Sequence, residues 1–266
     1  MSLTSIIIPT YNGLHLLKPC IEAIRTHTID VPYEIIVVDN ASNDGTDDFC
    51  ASERLISIRL PENRGFPAAC NTGLRLASGD QFVILNNDVT VTRGWLSNML
   101  AALQSESIVG LVGPVTNYVS GIQQIHGLEG DLASCLRYAE QNNASNPSRW
   151  QEVKRLVGFC LLFRRDLMER IGLLDERFSP GHYEDDDYCL RARVHGYKLL
   201  MCNDCFVYHE GNASFSRSET SWMEELIERN YRLFIEKWSI DPRMFIETGN
   251  AGVVCTEHAV EGGRKI

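Results

Sequence analysis

The stretch Gly79-Asp80-Gln81-Phe82-Val83-Ile84-Leu85-Asn86-Asn87-Asp88 decides the fold. From Gln81 to Leu85 it is apolar enough to be a central strand of a parallel sheet, which is covered on both faces. The run breaks at Asn86-Asn87-Asp88, and ligands of open α/β sheets gather at the carboxyl ends of such strands. Asp88 therefore falls where a cofactor sits, and its carboxylate can hold a divalent cation.

Working outward, Ser5-Ile6-Ile7-Ile8, Glu34 to Val38 and Leu55 to Ile58 are similar β-branched runs. They alternate with helical patterns such as Leu14, Leu17, Ile21 and Ile24, and Ala68, Thr72 and Leu76. That alternation predicts a parallel sheet with right-handed crossovers, a Rossmann-like half over residues 1–115. No Gly-x-Gly-x-x-Gly follows any strand. The first strand ends instead in Pro9-Thr10-Tyr11-Asn12-Gly13, which excludes a dinucleotide fingerprint. A helix is expected from Trp95 to Leu103, then a strand over 108–114 that proline stops.

The texture then changes. Residues 116–150, rich in Asn, Ser, Gly and Gln, read as a functional loop or lid ordered by substrate. They open a second half, 116–215, with a strand at 156–163, helices at 166–171 and 184–195, and short strands at 197–201 and 206–208. A packing helix over 219–238, within a segment 216–240, keeps Trp222, Leu226, Phe234 and Trp238 apolar. The tail 241–266 is expected to be loose after Gly249.

The chain has 266 residues, a formal charge of −10 and a pI near 5.2, which argue against a nucleic-acid surface. Nine cysteines at irregular spacing, without a signal-peptide pattern, predict reduced thiols in a cytoplasmic protein. Cys202-Asn-Asp-Cys205 has the spacing of half a zinc site but lacks a second half. Asn143-Ala-Ser and Asn212-Ala-Ser read as chance sequons. No apolar run approaches the roughly 20 residues of a membrane span, so membrane contact would be peripheral, at the inner face.

Four polar clusters fall at strand ends and should converge on one rim: Thr10-Tyr11-Asn12, Asp39 to Gly45, Asn86-Asn87-Asp88, and Glu184-Asp185-Asp186-Asp187. Asp39 to Gly45 could equally be a turn followed by a capped helix. Four consecutive acids complement a helix dipole, and Asp187 can pair with Arg191, yet a cap needs fewer. Like charges packed together raise some of their pKa values, which is tolerated more often at a site than on a face.

As an ordered set these pieces resemble the inverting glycosyltransferases of family 2 with the GT-A fold, including rhamnosyltransferase-like members. The resemblance spans Ser5 to Trp238. It is carried by Ile6 to Asn12, Val37 to Thr46, Asn63-Arg64-Gly65-Phe66, Asn71-Thr72-Gly73, Gly79-Asp80, Asn86-Asn87-Asp88, Glu184 to Asp187, and His209. It implies a Rossmann-like nucleotide-sugar half and a smaller acceptor-binding half around one mixed, mostly parallel α/β sheet. The metal motif departs from the family's usual Asp-x-Asp, because Asn86 occupies its first position.

The resemblance implies that Pro9, Tyr11 and Asp39 contact the nucleobase and ribose, with Arg64 and Asn71 near the nucleotide. Thr10, Asn12, Asn40, Asn43, Asp80, Asn86, Asn87 and Glu184 complete the expected substrate set. It also implies Asp88 and His209 as ligands of Mg²⁺ or Mn²⁺, and Asp185 as the base. Glu184 and Asp187 would orient that base or touch substrate hydroxyls, and Asp186 would face solvent or the acceptor. The partners are then a UDP or dTDP sugar and a saccharide or lipid-linked saccharide. A sugar-nucleotide nucleotidyltransferase would need a Gly-rich, basic phosphate loop that Pro9 to Gly13 lacks. A non-catalytic scaffold of the same fold has only Asn86 in its favour.

Overall fold

A computed structural model describes residues 2–128, 131–211 and 220–245. Strands β1 (Thr4–Thr10), β2 (Tyr33–Asp39), β3 (Ile56–Arg59) and β4 (Gln81–Leu85) pair in parallel in the order β3-β2-β1-β4. The sheet continues through β8 (Cys160–Arg164), antiparallel to β4, to β6 (Val109–Thr116) and β9 (Lys198–His209), which are parallel to each other. Two short strands line the far side of β9: β7 (Trp150–Val153) along its first half and β5 (Val89–Thr90) at its end. One mixed, mostly parallel sheet therefore runs through both halves of the chain.

Successive strand residues point to opposite faces, and each face has its own core. Ile6, Ile8, Val37, Val83 and Leu85 pack with helices α1 (Leu14–His27) and α4 (Trp95–Ser105). Ile7, Ile36, Val38, Phe82 and Ile84 pack with α3 (Phe66–Leu76), α6 (Arg165–Ile171) and α7 (Glu184–Val194). A short α2 (Thr46–Ser52) follows the β2 turn. This two-sided burial is why the central strands read as unbroken apolar runs.

From Pro114 onward the chain departs from the sequence reading in four places. Residues 116–150 are not an irregular loop. They contain α5 (Leu132–Asn142), whose first turn is capped by Asp131 through Ala133 and Ser134 N–H at 3.1 Å each. Its buried stripe includes the small residues Cys135 and Ala139, which hide the periodicity. The expected 156–163 strand begins only at Cys160. Pro114 does not stop β6 but sits inside it, beside a register shift between Pro114 and Val115.

The two expected strands at 197–201 and 206–208 are one strand, β9, with the polar Asn203-Asp204 absorbed at that same irregularity. Trp150 Nε1 and the Asn146 N–H donate to the buried Asp204 carboxylate there. The C-terminal helix α8 (Thr220–Trp238) packs Phe234 against Phe178 and Leu190, as a brace. Most of the tail, and the Asn212 sequon, lie outside the described residues. The Asn143 amide is engaged with Thr92 Oγ1 and with the backbone of Phe206 at both ends. All eight cysteines among the described residues are buried, and no zinc set forms at Cys202 and Cys205 among those residues.

Candidate active site

The first three polar clusters meet at the carboxyl ends of β1, β2 and β4. Thr10 lies opposite Asp39, and Asn40 N–H donates to Thr10 O at 2.8 Å. Asn12, left-handed at φ 47, donates its N–H to Ser42 Oγ (2.9 Å) and accepts from Asn43 N–H (2.8 Å). Asp44 accepts from Leu14 N–H and Thr46. Desolvation pulls its pKa up, yet these hydrogen bonds hold its carboxyl below the ordinary range. Asn87 donates to Thr10 Oγ1 at 2.8 Å. A side chain on Gly13 would stand 2.4 Å from Asn87 Nδ2, so any Cβ there must displace the Asn87 amide.

Within this rim Asp39 is buried; its Oδ1 accepts Ser42 N–H, while Oδ2 has no hydrogen-bond donor and the Arg59 guanidinium stays 3.7 Å away. Pro9 is buried, and half of Tyr11 is open to solvent. Asn40 uses both ends of its amide as a strut, accepting Arg64 N–H and donating to Gly65 O. The Arg64 side chain pairs with Glu176 at 3.1 Å. Asn71 shares Glu176 with Arg64. It is buried and spent on Leu174 N–H, Leu174 O and Glu176 Oε1.

Asp80 is not on the rim at all. It precedes β4, where Gln81 is paired with Thr4 at the opening of β1, so the length of the strand separates it from Asp88. Its backbone closes the amino-terminal edge through Leu3 O and Arg165 N–H.

Asp88 and His209 come together because β5 pairs with the end of β9, Val89 opposite His209. His209 Nε2 lies 3.2 Å from Asp88 Oδ1. The ring stacks on Phe159 (5.2 Å, 15°) and is flanked by Tyr118 (6.3 Å). Its Nδ1 is 2.8 Å from Tyr118 O and donates a proton there, so Nε2 carries a lone pair in the neutral ring and a proton toward Asp88 only in the charged one. Burial alone would lower the His209 pKa. The Asp88 carboxylate and the Tyr118 carbonyl outweigh that and raise it.

Beside this pair, among the described residues, neither the buried Asn86 Oδ1 nor Asp88 Oδ1 has a hydrogen-bond donor. No group of three or more His, Cys, Asp or Glu side chains suited to a metal occurs among the described residues. Two protein ligands fit a divalent ion whose other positions are filled by substrate oxygens and water.

The fourth cluster joins through the β8 entry. Asn86 N–H donates to Phe159 O (2.9 Å), and Gly158 N–H donates to Asp185 Oδ2 (2.9 Å), so Asp185 is two residues from the Phe159 ring that stacks on His209. Asp185 Oδ1 accepts Asp186 N–H, so both oxygens are oriented by backbone. Glu184 is buried, and its Oε2 has no hydrogen-bond partner among the described residues; desolvation, then the neighbouring Asp185, pushes its pKa well above the ordinary carboxylate range.

The two remaining acids correct the expectation. Asp186 does not face solvent: it is buried against Arg155 Nε at 2.6 Å. Asp187 does not reach substrate: its fully buried carboxylate is held by Arg191 Nε (2.8 Å), Lys237 Nζ (2.6 Å) and Trp238 Nε1 (2.8 Å).

Several roles escaped the sequence reading, although it placed Gly158-Phe159-Cys160 on the strand behind the site. Asn117 and Tyr118 grip His209, Gly158 aims Asp185, and Arg155 neutralises Asp186. Asn117 carried the same signal as the other rim residues, an amide directly after a strand.

Residues 5–172 match the family model described as glycosyl transferase family 2. The glycosyltransferase AglE of Haloferax volcanii is 26% identical over 246 residues, covering 89% of this chain and 74% of AglE. An uncharacterized protein of Sinorhizobium fredii, y4gI, is 27% identical over 251 residues, and this chain spans 27% of its length. Among solved structures, a mannosyltransferase from Pyrobaculum calidifontis superposes with a TM-score of 0.64 at 23% identity, over 88% of this chain and 64% of that one. GalNAc-T7 gives 0.68 at 15%, over 91% and 50%. These likenesses are of fold, the GT-A fold. The matched residues include β1, β2, β4 and the Asn86–Asp88 turn, and the chain belongs to glycosyl transferase family 2.

Proposed function

We propose that this chain is a metal-dependent, inverting glycosyltransferase that moves a sugar from a UDP or dTDP sugar to a hydroxyl of a saccharide or lipid-linked saccharide. The observation that carries the reading is the Asp88–His209 pair, 3.2 Å apart beside the unpaired Asn86 Oδ1 and linked through Gly158-Phe159 to Asp185. The Pyrobaculum enzyme was solved with GDP-Man and Mn²⁺, and GalNAc-T7 with UDP, GalNAc and Mn²⁺, which supports the donor class and a divalent ion.

Asp88 and His209 would hold Mg²⁺ or Mn²⁺, which supplies a Lewis acid for the charge on a departing diphosphate. The turns carrying Tyr11, Asn12, Asp39 and Asn43 would seat the nucleoside, with Asp39 Oδ2 free to accept from a ribose hydroxyl. Asp185, its carboxylate fixed by two backbone N–H groups, would take the proton of the acceptor hydroxyl. The acceptor oxygen then bonds to the anomeric carbon as the bond to the diphosphate breaks, which inverts that centre. Glu184, buried with its pKa pushed well above the ordinary carboxylate range, would meet a sugar hydroxyl through its carboxyl group.

The test is calorimetric titration of UDP, dTDP and GDP with and without Mn²⁺. Asp88→Asn should abolish the metal-dependent part of binding. Asp185→Asn should leave it intact and slow transfer by about 10²–10⁴-fold. Unchanged turnover in the Asp185 variant would sink the base assignment.

A further inference from the structure

We infer that Asn230, on the C-terminal helix, is a positioning residue that holds the turn presenting Asp185, an inference that rests on the proposed role of Asp185. The turn Gly181-His182-Tyr183 leads directly into the acidic helix. His182 and Tyr183 are both left-handed, each at φ 71, and neither is glycine. Two consecutive side chains in that region persist only where the surroundings over-determine the backbone.

The surroundings here are specific. Asn230 is fully buried, and its Nδ2 lies 2.8, 2.7 and 3.0 Å from the carbonyl oxygens of Phe178, Gly181 and His182. Two N–H bonds thus serve three convergent carbonyls, one of them within the strained pair. The amide cannot swing, because its Oδ1 accepts from Arg229 Nε and Nη2, and Arg229 also reaches Ser179 O. Tyr183 is wedged at 6.2 Å from both Tyr231 and Phe234 of the same helix. From the nucleotide side, Phe66 N–H donates to Pro180 O at 2.8 Å. Gly65, at φ +84, leaves room where a Cβ would stand 2.5 Å from Pro180 Cα. The turn is thus clamped between the nucleotide half and α8, and the first helical residues after it are Glu184 and Asp185.

A buried asparagine could equally serve packing alone, so the test uses a readout that packing does not move. Hydrogen exchange is followed by mass spectrometry in the whole chain carrying Asn230→Ala or the same-sized Asn230→Asp, each with and without His182→Gly. Loss of the Nδ2 donors should speed exchange of the 182–187 amides by about tenfold or more while β1 and β4 keep wild-type protection. His182→Gly, which removes the steric cost of positive φ, should restore most of that protection in the Asn230→Asp background. Unchanged exchange at 182–187, equal acceleration in β1 and β4, or no recovery with His182→Gly would overturn the inference. In parallel, kcat of donor turnover should fall by about 10²-fold with nucleoside diphosphate affinity unchanged, as expected when a reacting group is misplaced. A wild-type chain that neither binds nor turns over any donor would defeat the transferase reading alone, because exchange still decides the role of Asn230.

Discussion

Asn117 and His209 are joined through both ends of one side-chain amide: Asn117 Oδ1 accepts His209 N–H at 2.8 Å, and its Nδ2 donates to His209 O at 2.9 Å. This pseudo-strand pairing holds the last residue of β9 after β6 has ended, and so sets the height of the imidazole beside Asp88. Asn117→Ala should therefore weaken Mn²⁺-linked nucleotide binding by about 10–100-fold, as loss of a residue that orients a ligand does. Calorimetry in the presence and absence of Mn²⁺ reads it; equal losses with and without the ion would show that Asn117 acts on folding instead.

Gly13→Ala should push Asn87 off Thr10 Oγ1, because the new methyl would stand 2.4 Å from Asn87 Nδ2. The expected cost is about 1 kcal/mol for the lost hydrogen bond. A double-mutant cycle with Asn87→Ala, followed by urea denaturation, should give strong non-additivity, since both changes break the same contact. Additive effects would mean that Asn87 accommodates the methyl without leaving Thr10.

Trp238→Phe keeps an aromatic ring, trims the indole, and removes one donor from the buried Asp187 carboxylate. A hydrogen bond to a charged group contributes about 1.5–3 kcal/mol, and destabilisation of that size is expected in urea melts. Arg191 and Lys237 still neutralise the charge, so the variant should fold.

Asp175 ties Lys237 to the 3-10 turn after α6. Its desolvation raises the pKa, but hydrogen bonds from Arg177 and Lys237 prevail and hold it well below the ordinary carboxylate range. A depressed folded-state pKa gives stability that is full above the unfolded value, near pH 4, and is lost progressively as the pH falls below it. The stability gap between wild type and Asp175→Asn should therefore be constant from pH 7 to 5 and shrink by pH 3. A gap independent of pH would show that Asp175 acts without its charge.

The nucleotide half was legible because its signals are local. Buried parallel strands write themselves as apolar runs, and turns at their ends as Asn, Asp, Ser and Gly, so Thr10, Asn12, Asp39, Asn43, Asn87 and Asp88 could be placed on one rim from their position after a strand. The rule does not reach Asp80, which stands before its strand, or Asn71, which lies inside α3 and bonds Leu174; the family resemblance alone named them. It could not assign the four acids, since adjacent helical residues point in different directions. One meets backbone N–H groups, one Arg155, one the C-terminal helix, and one buries an oxygen that has no hydrogen-bond partner among the described residues.

By itself the sequence determined the strand and helix order of the first half, the set of rim motifs, and through them the family. Only the tertiary structure decided which polar groups share the site. Asp88 meets His209 through pairing of β5 with β9, across more than a hundred residues of chain. Asp187 is withdrawn into the core by Trp238 and Lys237, and Asn230 reaches back to the turn before Asp185. The physical reason is that periodicity and turn chemistry act between near neighbours, whereas the desolvation and partners of a buried charge are set by whatever distant segment the fold packs against it.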